Sequence, residues 1–163
     1  MKIRAWLIVL VASGLTACAS PSGQEGSTAQ SGAAEALNEQ VAVLARSQLD
    51  ACMSAEFAAL RRLSPCQTGD ITLAQLANNT KINPRDRDLF IKASDRLDEY
   101  SKQITQIYQR SDLASAQRVA QARIWAQSEA TQNRLAIVNQ KITWAQYLRQ
   151  RMSIEAEMLR RAQ

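Results

Sequence analysis

From Arg85 to Gln163 the chain runs for 79 residues without a glycine or a proline. These two residues are the strongest local punctuation a chain has, so their absence leaves this half to run helically, with polar breaks at most. Phe90, Leu97 and Ile104 recur every seven residues, in step with Ala93, Tyr100 and Ile107, which makes an apolar seam of nearly three heptads. The register fails at Ser111. Arg110 suits a helix C-terminus, and Ser111 and Asp112 are N-cap candidates, so a helix–helix turn is expected at residues 110–113. A continuous helix with a defect is the alternative, because no glycine marks a C-cap.

Residues 113–163 could form one helix about 75 Å long. Leu135, Val138, Ile142, Ala145, Met152 and Leu159 lie on one stripe, and Ile137, Trp144, Leu148, Ile154 and Met158 on its neighbour. Two stripes are wider than a simple hairpin buries. Either this helix sits at the centre of a bundle, or a strip is kept for a partner or for self-association.

Upstream, Leu37, Val41 and Leu44, then Leu49, Met53, Phe57 and Leu60, give an amphipathic helix over residues 35–63. Pro65, Gly69, Asn78, Asn79, Asn83 and Pro84 crowd residues 64–84 into an irregular connection. Within it residues 72–78 can make a short helix that packs Leu73 and Leu76. Asn83 can cap the next helix, with Pro84 in its first turn. With 46% apolar residues, five glycines and eight aromatics in 163 residues, one all-α domain is expected. The architecture is an antiparallel helical bundle, or a long helical hairpin, of three main helices plus one short connecting helix.

The chain has no histidine. That excludes Ser-His-Asp and Cys-His catalysis and any His-ligated metal or haem, so no cofactor and no metal site are expected. Carboxylates one helical turn apart, such as Asp95 and Glu99, are the ordinary pattern of a solvated face, and no catalytic residue is assigned.

Lys2 and Arg4 precede an apolar run of eight, residues 5–12, and small residues follow. This is the pattern of a secretory signal peptide over residues 1–17. Eight residues make a helix of only about 12 Å, too short for a permanent anchor in a hydrocarbon core of about 30 Å. Leu15-Thr16-Ala17-Cys18 resembles the lipobox of bacterial lipoproteins. The resemblance implies that Cys18 becomes the first mature residue and carries lipid, a stable tether where two or more chains insert. Ala19 and Ser20 follow where an Asp would favour inner-membrane retention, so the resemblance implies the periplasmic face of an outer membrane. Removing Lys2 and Arg4 leaves 18 basic and 15 acidic residues, a net +3. So small an excess, in an exported chain, gives no reason to expect a nucleic-acid partner.

Residues 18–34 then read as the lipidated cysteine and a flexible Ser/Gly/Gln/Ala tether, with a root-mean-square reach of about 22 Å. Residues 35–163 are the helical domain. Its Cys52 and Cys66 form an even pair in an oxidising compartment, and a disulfide is expected. A helix running to Leu63 would need three residues to retrace about 16 Å when they reach about 10 Å, so it should end nearer Leu60. The pair lacks the Cys-x-x-Cys spacing of a thiol oxidoreductase.

The expected function is non-enzymatic: a membrane-tethered scaffold or adaptor for another envelope protein, with possible self-association through the C-terminal helix. Trp144, Tyr147, Leu148 and Arg151 are the candidate partner contacts, because exposed Trp, Tyr and Arg anchor interfaces. A pilotin-like lipoprotein guiding a secretin is similar in architecture only. A carrier or sensor of a small apolar ligand, with a cavity lined by Trp125, Trp144 and Met152, is the other alternative. The basic C-terminal region could pack against the acidic first helix or meet an anionic partner.

Overall fold

In a computed structural model the described residues are 24–163, with side chains described from Ser31 onward. The signal segment, the lipobox and Cys18 lie outside the described residues. The rest is all-α, with no strand among the described residues: α1 (Gln24–Met53), α2 (Ala58–Arg61), α3 (Leu73–Leu76), α4 (Pro84–Arg110), α5 (Ala114–Val138) and α6 (Trp144–Ala162). Short 3-10 turns at Ala55–Phe57 and Thr68–Asp70 punctuate the first connection. Antiparallel packing joins α1 to α4, α4 to α5 and α5 to α6, while α3 covers part of α6.

The first helix differs from expectation at both ends. It already includes residues 24–34, which composition assigned to the flexible tether. At its other end α1 stops at Met53, earlier than Leu60. Ser54 leaves the helical region (φ −54°, ψ 151°). Arg61 then folds back, its Nη1 donating to the carbonyls of Cys52 at 2.9 Å and Ser54 at 2.7 Å. A guanidinium thus satisfies carbonyls that a helix C-terminus leaves without partners.

The turn at residues 110–113 is present, with Gln117 Nε2 donating to Ser111 O at 2.6 Å and Gln109 O at 3.0 Å. Residues 113–163, however, are two helices, so the bundle has four long helices among the described residues rather than three. The break is built without glycine or proline. Gln140 takes a left-handed φ of 56°. Its N–H donates to Ile137 O at 2.9 Å, and Lys141 N–H donates to Ala136 O at 2.8 Å. Those two bonds are a Schellman C-cap. Gln140 Nε2 also reaches Ile82 O at 3.1 Å, helping to hold the unusual backbone. Thr143 and Gln146 form a capping box that starts α6. The first two N–H groups of α6 go elsewhere: Trp144 N donates to Thr80 O at 3.0 Å and Ala145 N to Asn78 O at 2.9 Å.

The apolar core gathers at this end of the bundle. Phe57, Leu60, Ile82, Phe90, Ile137, Trp144, Tyr147 and Leu148 are buried together. Phe90, Trp144 and Tyr147 meet edge to face, with ring centroids 5.3–6.0 Å apart. Farther along, the packing of α5 is thinner, through Ala116, Ala120, Ala122 and Ala126. Of the two C-terminal stripes, Ile137, Trp144 and Leu148 face the core, whereas Leu135, Met152 and Leu159 are exposed.

Candidate binding groove

Cys52 and Cys66 are joined by a disulfide, with Cα atoms 5.9 Å apart. The early end of α1 makes this closure possible, since the chain reverses before the loop begins. Arg151, on α6, ties down the loop's far side. Its Nη1 donates to Ser64 Oγ at 3.2 Å and Pro65 O at 2.6 Å, and its Nη2 to Cys66 O at 2.6 Å. The loop is therefore held covalently to α1 and by three hydrogen bonds to α6.

Beside it lies a groove of about 580 Å³ between α1, the disulfide loop, α4 and α6. Its lining mixes the apolar side chains of Leu49, Phe57, Leu60, Phe90 and Leu97 with polar and charged ones such as Arg46, Gln48, Arg61 and Gln67. At one end Arg134 clasps Asp98 through two bonds, Nη1–Oδ1 at 2.9 Å and Nη2–Oδ2 at 2.8 Å. The groove is thus lined by apolar and polar side chains together, with this charged pair among them. Tyr147 also borders it. Burial pushes the Tyr147 phenol above its ordinary value, while Arg151, Arg134 and a hydrogen bond with Ser64 oppose that rise.

The expected partner contacts are corrected by this geometry. Trp144, Tyr147 and Leu148 are 1%, 8% and 0% exposed, and they form the core instead of a free surface. Arg151 is spent on loop atoms. The reason is the break at Gln140: it starts a new helix at Trp144 and turns this stripe inward. The carrier cavity expected around Trp125, Trp144 and Met152 does not assemble either. Trp144 is in the core, Met152 is exposed, and Trp125 lies under Arg161, whose Cζ is 4.1 Å from the ring centroid. Arg161 and Arg160 both bond Glu157, holding its carboxyl at about 2.

The basic C-terminal region and the acidic first helix are not paired among the main helix contacts. Glu56 of the first connection instead meets Lys92 and Arg96 on α4.

A polar network between α4 and α5 was not anticipated from the sequence. Arg123 Nε donates to Thr105 Oγ1 at 3.1 Å, and its Nη2 to Ser101 Oγ at 3.2 Å and Ser101 O at 3.4 Å. Gln127 Nε2 donates to the same two hydroxyl oxygens, each at 3.1 Å. The available signal was polar side chains one turn apart on both helices, at 101 and 105 and at 123 and 127, beside an apolar seam. Asn133 is likewise a buried polar residue, its Nδ2 donating to Tyr147 O at 3.0 Å.

Among the described residues no cluster of His, Cys, Asp and Glu is arranged to hold a metal, and no helix is long and apolar enough to cross a membrane. Comparison with protein-family models, curated proteins and solved structures finds no match.

Proposed function

We propose that this chain is a lipid-anchored envelope adaptor, tethered through Cys18, that receives an apolar segment of another envelope protein in the groove beside the disulfide. The observation that carries the reading is the preorganised groove wall: a loop closed by Cys52–Cys66 and pinned by Arg151, beside a lining that includes Leu49, Phe57, Leu60, Phe90 and Leu97. A wall already ordered before binding loses little further freedom when a segment docks. The lipobox at residues 15–18 and a disulfide suited to an oxidising compartment support an exported, anchored protein. Tethering confines the groove near the bilayer and raises the effective concentration of any partner in the same membrane. Catalysis has no part in this reading.

A photo-crosslinking side chain at Leu49, on the groove wall, tests it in intact cells. The expected result is a discrete adduct with one envelope protein, weakened when Cys18→Ala releases the chain from the membrane. Absence of an adduct from Leu49, or an identical yield from the Cys18→Ala protein, overturns the adaptor reading. Mass spectrometry of the mature N-terminal peptide tests the anchor separately: an acylated Cys18 is expected, and a free thiol overturns it.

A further inference from the structure

Arg123 is half-buried between α4 and α5, and among the described residues no carboxylate lies within ion-pair distance of it. Its bonds go to two hydroxyls and one carbonyl, all neutral, through Nε and Nη2. Nη1 makes no hydrogen bond to another described residue. A desolvated cation without a counter-charge is unfavourable, and such groups concentrate where a ligand supplies the missing charge. Burial accordingly pushes the guanidinium below its ordinary value, with Tyr108 opposing.

In front of it lies a cleft of about 230 Å³ between α4, α5 and α6. Three arginines, Arg123, Arg134 and Arg151, line it against two carboxylates, Asp98 and Glu155. Arg134 is clasped to Asp98, Arg151 holds the disulfide loop, and Glu155 accepts a hydrogen bond from Thr68. The lining therefore carries one net positive charge. Ser101 Oγ, which accepts from both Arg123 and Gln127, still has its own O–H to donate. The remaining walls are apolar: Ala126, Ala130, Ile154 and Met158.

We infer that this cleft binds a small organic monocarboxylate with a short apolar tail, the carboxylate accepting from Arg123 and the Ser101 hydroxyl and the tail lying against Ala130, Ile154 and Met158. A lining with one net positive charge matches a single negative charge. A doubly charged oxyanion such as phosphate would exceed that net charge while meeting Asp98 and Glu155. The small volume limits the tail to a few carbons. This site is independent of the adaptor reading, since it needs neither the anchor nor a protein partner.

Calorimetric titration of the full mature protein in lipid nanodiscs, with empty nanodiscs as blank, tests the inference using butyrate, butanol, butylammonium and inorganic phosphate. Butyrate should bind saturably, and each of the other three at least about tenfold more weakly. Arg123→Gln, which can still donate to the hydroxyls, should weaken butyrate by about tenfold or more. Arg123→Lys should restore part of the affinity. Ala130→Leu, which fills the tail space and leaves the guanidinium untouched, should also weaken it. Butanol or phosphate binding as tightly as butyrate, unchanged affinity in Arg123→Gln, or no saturable heat with the wild-type protein overturns the inference. The comparison of butyrate with butanol uses the wild-type protein alone and holds even where a variant fails to fold.

Discussion

Arg151 Nη2 donates to the carbonyl of Cys66 at 2.6 Å, so the last helix grips the residue that the disulfide also grips. One bond constrains the loop from α1 and the other from α6. The loop closes the groove between them, and its order depends on both attachments.

Reducing the disulfide, or replacing both cysteines with alanine, should lower stability by about 3 kcal/mol for a loop of this length. Urea denaturation with and without reductant measures it. Arg151→Ala should cost about 2–3 kcal/mol through lost hydrogen bonds to a charged donor. Its cost should shrink in the reduced protein, where the loop is already loosened, and additive costs would contradict a shared role.

Trp144→Ala should destabilise by about 3–5 kcal/mol, as expected for an aromatic truncation in a packed core. Leu135→Ala, at 55% exposed, should change stability by no more than about 0.5 kcal/mol. Thermal melts of the two variants separate a core role for the Trp144 stripe from a surface one.

Tyr147 gives the protein an alkaline limit. Its folded pKa is raised above the ordinary 10.0, so the buried neutral phenol contributes fully below that pH. From about pH 10 upward the unfolded state loses its proton first, and the contribution declines as pH rises toward the folded value. Tyr147→Phe should be less stable than wild type by about 1 kcal/mol at neutral pH, having lost the bond with Ser64. That gap should close above pH 10. A gap that widens with pH would contradict the assignment.

Asp98 and Arg134 form a partly covered, two-pronged pair, 32% and 21% exposed. A double-mutant cycle with Asp98→Ala and Arg134→Ala should return a coupling of about 1–2 kcal/mol, reduced by salt. A coupling near zero would place the pair among surface contacts of no consequence.

Much of the fold was legible because its signals are local. Asn83 with Pro84 marks the start of α4, the failed seam at Ser111 marks its end, and an even pair of cysteines in a chain read as exported anticipates their bond. The break between α5 and α6 was missed because its C-cap uses Gln140, where a glycine would have announced it. The Thr143–Gln146 capping box was the readable clue. Misreading that break also misplaced the candidate site, since the direction in which Trp144 and Tyr147 point depends on where their helix begins. The Arg123 network depends on register between two helices, which spacing along one chain does not supply. The groove wall was half visible: the disulfide could be expected, but the hydrogen bonds from Arg151 span 85 to 87 positions.

The bonds from Trp144 N and Ala145 N to the carbonyls of Thr80 and Asn78 impose an order of events on synthesis. A chain delivered from its N-terminus brings out residues 78–82 long before their acceptors meet those donors. Until the sixth helix arrives, Phe90 and Ile82 lack the indole that covers them, and the earlier helices stay an unsealed assembly. Closure of this core thus waits for the last of the long helices.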